Sequence, residues 1–95
     1  MKASKLLATT ESGRLYSVNL NDGKNDCLFS ANNGYGLMGL DIDDEHIYLQ
    51  GNTTTFILNK NNYNIIKKKD FGNKGFHQLR VYNGFIYTTA TISNQ

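Results

Sequence analysis

The seventeen residues GFHQLRVYNGFIYTTAT, Gly75 to Thr91, have a near-copy earlier in the chain, GLMGLDIDDEHIYLQGN, Gly36 to Asn52. Few identities are shared, but the pattern is. A shift of 39 residues lays Gly36 on Gly75, Leu40 on Leu79, Ile42 on Val81, Ile47 on Ile86 and Tyr48 on Tyr87. Each stretch reads as a glycine, an apolar strand, a tight turn and a second strand carrying an Ile-Tyr pair. Working outward, LLATTESG (Leu6–Gly13) resembles both IYLQGNTT (Ile47–Thr54) and IYTTATIS (Ile86–Ser93). LYSVNLNDGK (Leu15–Lys24) resembles TFILNKNNYN (Thr55–Asn64) with a slip of about one residue. The chain is therefore written in a unit of 39–40 residues.

Apolar residues at helical spacing do not persist over a helix-length window. Short runs of Leu, Ile, Val, Tyr, Phe and Thr, each ended by Gly, Asn or Asp, predict strands instead. Nine are expected: Lys5–Thr10, Arg14–Leu20, Asp26–Ser30, Leu37–Asp43, His46–Gly51, Thr54–Asn59, Ile65–Phe71, Phe76–Tyr82 and Phe85–Ile92. Ser12-Gly13, Asp22-Gly23, Asp44-Glu45, Asn61-Asn62 and Asn83-Gly84 supply the turns. Asn83-Gly84 is the strongest hairpin signal, because both residues tolerate the positive φ of a type I′ turn. Links this short make neighbouring strands pair antiparallel, as a meander.

Four short antiparallel strands in a unit of this length resemble the blades of a β-propeller. The Trp-Asp dipeptide and Gly-His pair of the WD class are missing, so the likeness is to looser propeller repeats. It covers nearly the whole chain and implies an architecture, not a particular activity. The rival is a β-sandwich or small barrel with a regular meander. With blade strands lettered A to D from the centre outward, the chain reads B-C-D, A-B-C-D, A-B. That is an all-β, partial β-propeller of about two blades plus one strand, a single module over 1–95 with blade parts 5–30, 37–71 and 76–92.

Propellers close with four to eight blades, so two cannot close a ring. An end blade left bare exposes an apolar face and a strand edge. The module is expected to associate with itself, or to be a piece of a longer propeller. Two, three or four copies would supply about four, six or eight blades. The two ends of the chain resemble each other, LLATT against IYTTA, so head-to-tail copies duplicate a B strand unless one is displaced.

Composition sets further bounds. Of the 95 residues 39% are hydrophobic and the net charge is only +2, which excludes compositional disorder. Thirteen Asn and nine Gly, with no Pro or Trp, make a turn-rich chain. The lone Cys27 excludes a disulfide-stapled mini-protein and CxxC chemistry. No apolar run approaches the roughly 18–20 residues of a membrane span, and the N-terminal apolar run is too short for a signal peptide. A cytoplasmic setting is the default expectation, with no membrane partner. Asn52-Thr53-Thr54 fits a glycosylation acceptor pattern but, without a secretion signal, reads as accidental.

Candidate chemistry is sparse. His77, near the start of an inner strand, is placed to line a propeller channel, where copies around an axis could hold a metal. Its counterpart is Met38, so the simpler reading is a single semi-buried histidine. His46 reads as solvated beside Asp44 and Glu45. DIDDE, Asp41 to Glu45, lacks the spacing of a calcium loop and reads as an acidic strand-and-turn edge. Lys67, Lys68 and Lys69 fall on an outermost strand; charge there prevents unwanted pairing, and nucleic-acid binding is not expected. Asn33, Tyr35, Asn73 and Lys74 sit in the D-to-A loops, the expected recognition surface. No phosphate loop, nucleophile elbow or catalytic triad is visible, and no cofactor is implied. The leading expectation is a non-catalytic binding or scaffold module. The alternatives are part of a metal- or ligand-binding propeller enzyme with His77 in the channel, and an oligomeric lectin-like ring stacking a sugar on Tyr35.

Overall fold

The computed structural model describes residues 4–31, 36–71 and 76–90. They form nine strands and no helix: β1 (Lys5–Thr9), β2 (Arg14–Asn19), β3 (Asn25–Ser30), β4 (Leu37–Ile42), β5 (His46–Gly51), β6 (Thr54–Asn59), β7 (Ile65–Asp70), β8 (Phe76–Tyr82) and β9 (Phe85–Ala90). They group into three antiparallel meanders of three, four and two strands, β1-β2-β3, β4-β5-β6-β7 and β8-β9. The strand ends match the sequence reading to within one residue, except that the expected end of β9, Ile92, lies outside the described residues. At β1 the strand stops at Thr9, because the Thr10 amide and hydroxyl turn back to meet Arg14.

The repeat is present in the pairing register. Leu37 faces Gly51 and Leu40 faces Leu49 across β4–β5; 39 residues on, Phe76 faces Ala90 and Leu79 faces Thr88 across β8–β9. Both pairs carry an irregularity at the same place, after Leu37 and after Phe76. The β2–β3 and β6–β7 turns also coincide, at a shift of 40. Asn19 Oδ1 accepts from the Asn21 and Asp22 amides, and Asn59 Oδ1 from those of Asn61 and Asn62. The left-handed residue of this turn is Gly23 in one copy (φ 76°) and Tyr63 in the other (φ 63°). Tyrosine is a costly choice for that backbone, and its ring is packed against the core. The β8–β9 link is the expected type I′ turn, with Asn83 at φ 51° and Gly84 at φ 80°.

The four-stranded sheet is the middle layer. Leu15 of β2 packs into one cluster with Leu37, Ile47, Leu49, Phe56 and Leu58, and Phe29 of β3 meets Phe56 edge-on at 5.2 Å between ring centroids. This core seals the first sheet to one face of the second. Backbones come close at its inner end: the Leu37 amide donates to Thr10 O at 3.0 Å. A Cβ on Gly36 would lie 3.0 Å from Glu11 Cα and O, so only glycine fits the approach. On the opposite face β8 packs against β4 and β5. Strand β5, covered from both sides, is buried over Ile47–Gly51. Gln50 is the polar member of that run, and its side chain is fully used: Nε2 donates to Gly51 O and Thr54 O, and Oε1 accepts from Thr55 Oγ1.

Candidate functional site

The residues picked out from sequence fall largely beyond description. Asn33, Tyr35, Asn73 and Lys74 lie outside the described residues. His77 belongs to β8, but its side chain is outside them too. Its counterpart, Met38 on β4, is exposed. Among the described residues, no group of three or more His, Cys, Asp or Glu side chains is placed to hold a metal ion. Cys27 is a free thiol on the surface. No described helix is long and apolar enough to cross a membrane.

The DIDDE segment is absorbed by structure. Asp41 Oδ2 accepts from the Val81 amide at 2.7 Å, tying the middle sheet to the third. Asp43 Oδ1 accepts from the Glu45 and His46 amides and closes the β4–β5 turn. Its Oδ2 accepts from the hydroxyl of buried Tyr48 at 2.6 Å. The Tyr48 hydroxyl, followed by the Glu45 amide, holds the Asp43 carboxyl down at about 2. Burial, then the Asp43 carboxylate, pushes the Tyr48 phenol up to about 12. His46 opens the strand expected of it but is less solvated than expected. It is half-buried, with its ring edge-on to Tyr48 at 5.9 Å between centroids. The arrangement is a turn lock that commits both Asp43 carboxylate oxygens to hydrogen bonds within the fold.

Two surfaces remain available for binding. The first is the pair of outer faces at the ends of the stack. Tyr87 on β9 is the 39-residue counterpart of Tyr48, yet it is 55% exposed where Tyr48 is 8%. It shares its face with Tyr82 and Phe85, both exposed. At the other end, Leu6 on β1 matches Ile47; it is 51% exposed where Ile47 is 1%. Ala8, Tyr16 and Val18 continue that face and line a shallow depression of about 310 Å³. In both cases the counterpart lies in the middle sheet, covered by a neighbouring sheet, and among the described residues no sheet covers the end residue.

The second is a groove of about 510 Å³ between β6–β7 and β9. Its apolar lining comes from Ile57, Phe71 and Ile86, and its charge from Lys67 and Lys69, which pair with Ile57 and Thr55 on that face. Lys68 lies over the Phe56 ring, 5.8 Å from its centroid. Sequence reasoning assigned the lysine run to edge protection and missed the groove. The signal was the strand count: a two-stranded sheet stacked on a four-stranded one leaves two strands of the larger face bare.

Among solved structures, the fold is similar to that of the "Crystal structure of the computationally designed Ika4 protein", with a TM-score of 0.72 at 11% sequence identity. The match covers 96% of this chain and 57% of that one, so the chain spans little more than half its length. At that identity the likeness is one of fold alone. No family model matches the sequence, and no curated protein does.

Proposed function

We propose that the chain is a β-propeller-type repeat module, about two blades plus one strand, that acts by binding and scaffolding without catalysis and associates with itself through its end faces. The observation that carries this is the Tyr48–Tyr87 and Ile47–Leu6 contrast: the same repeat position is buried in the middle sheet and bare at each end. The strand order supports it, since sheets of three, four and two strands fit B-C-D, A-B-C-D and A-B. The two ends are different surfaces, one Tyr- and Phe-rich, the other aliphatic with one tyrosine. Their union is therefore head to tail, which closes into rings or runs on as a filament. A second reading is that the chain forms one part of a larger ring. Both readings bury the same faces, against a copy in one case and further chain in the other.

Two variants test the head-to-tail union. Tyr87→Glu blocks one face and Leu6→Glu the other; both sites are exposed, so folding is little affected. Each variant alone should be monomeric, and their mixture should stop at a heterodimer built on the one intact pair of faces. Assembly of either variant alone to the size of the parent would overturn the proposal.

A further inference from the structure

We propose that the groove between β9 and the outer half of the middle sheet binds an extended acidic segment of a protein partner, added as a strand to the edge of β9. This deepens the binding-module reading, and its test does not depend on self-association. Strand β9 pairs with β8 on one side; on the other, among the described residues, it has no strand neighbour. An exposed edge of this kind is a template for an incoming strand. The side chains of Ile86 and Thr88, on the face of β9 turned to the middle sheet, line the groove. A strand laid about 4.8 Å beyond β9 would run above β6. Its inward side chains would meet Ile57 first and the lysines of β7 next.

The repeat shows that this surface is not written for an apolar cover. Where the first sheet is sealed by the second, it offers Leu15 and Phe29, which face each other across β2–β3. The counterparts 40 residues on, facing each other across β6–β7, are Thr55 and Lys69. A leucine has become a hydroxyl and a phenylalanine a cation. Among the described residues no Asp or Glu lines the groove, and Lys67, Lys68 and Lys69 form no ion pair. The surface is thus apolar at its floor and uncompensated positive at its wall. Lys67 and Lys69 alternate along one strand, so they match acidic side chains two residues apart on an extended peptide. Strand hydrogen bonds supply affinity and the alternating pockets supply selectivity.

The probe is a fluorescein-labelled six-residue peptide of alternating valine and glutamate, the length of β9, followed by fluorescence anisotropy. Saturable binding below about 1 mM is expected. It should weaken about tenfold or more in Lys67→Glu/Lys69→Glu, and less in Lys67→Ala/Lys69→Ala, with far-UV circular dichroism unchanged. N-methylation of alternate peptide amides should abolish it, because the edge bonds are lost. Equal binding of a valine–lysine peptide, insensitivity to both lysine variants, or displacement by a single-stranded oligonucleotide as readily as by unlabelled peptide would overturn the proposal. So would loss of self-association together with peptide binding in both lysine variants, since a second copy would then be the occupant.

Discussion

Phe56 and Tyr16 stand 40 residues apart at the same place in the repeat, three residues before the turn-capping asparagines Asn59 and Asn19. Truncating each to alanine separates folding from assembly. Phe56 is 2% exposed, sits in the inter-sheet cluster and stacks edge-on with Phe29. Phe56→Ala removes a ring from a packed site and should cost about 3–5 kcal/mol. The whole chain has a stability on the order of 5–14 kcal/mol, scaled at 0.05–0.15 kcal/mol per residue. The substitution therefore takes a large share of it. With a urea slope of about 1–3 kcal/mol/M, the midpoint should fall by roughly 1–5 M. Tyr16, on the outer face of the first sheet, is only half-buried. Tyr16→Ala should cost under about 1 kcal/mol in dilute solution. Its penalty should grow with protein concentration, because association adds to the parent's stability by mass action. Urea melts of both variants across a hundredfold dilution series read this out. Equal, concentration-independent losses would refute the reasoning, as would a Phe56→Ala loss below about 1 kcal/mol.

Three further outcomes follow from the geometry. Gly36→Ala drives a Cβ into the Glu11 backbone at 3.0 Å, where neither side can yield a flexible side chain, and should destabilise by about 1–3 kcal/mol in a thermal melt. Asp43 is held down at about 2 against an ordinary 3.8, so it stabilises the fold fully above about pH 4 and loses that contribution as the pH falls through 2. Carbon-13 NMR of its carboxyl should titrate near 2, and Tyr48→Phe should move that midpoint towards 3.8; an unmoved midpoint would contradict the assignment. Asp41→Ala deprives the Val81 amide of its acceptor and should cost about 1.5–3 kcal/mol, with amide exchange rising in β8 before the first sheet responds.

The strands and their order were legible because turn chemistry punctuates them so densely. Asp22-Gly23, Asn61-Asn62 and Asn83-Gly84 are local devices, and local devices can be read without the fold; that Asn19 and Asn59 cap the first two of these turns appears only in the structure. The 39-residue shift was legible for the same reason and reappears residue by residue in the β4–β5 and β8–β9 registers. What depended on sheet stacking was not readable. Asp41 carries no mark in sequence of its bond to Val81, 40 residues away. His46 looked solvated because its neighbours are acidic; in the fold it is half-buried, with the ring of Tyr48, two residues on, edge-on to it. The lysine run was read along its own strand. Its second place, along the wall of a groove, appears only when the third sheet is stacked on the middle one. Tyr63 broke the local rule for a left-handed residue because its ring had a place in the core.

The most direct test of the account is the absolute mass in solution, by light scattering after size exclusion across a dilution series. Bare end faces predict a mass above 10.7 kDa at working concentration. A defined dimer, trimer or tetramer would mark closed rings, and a concentration-dependent distribution would mark open stacking or part of a larger ring. A monodisperse 10.7 kDa species at every concentration would mean that Leu6, Tyr82, Phe85 and Tyr87 rest in water without cost, and the account would be wrong.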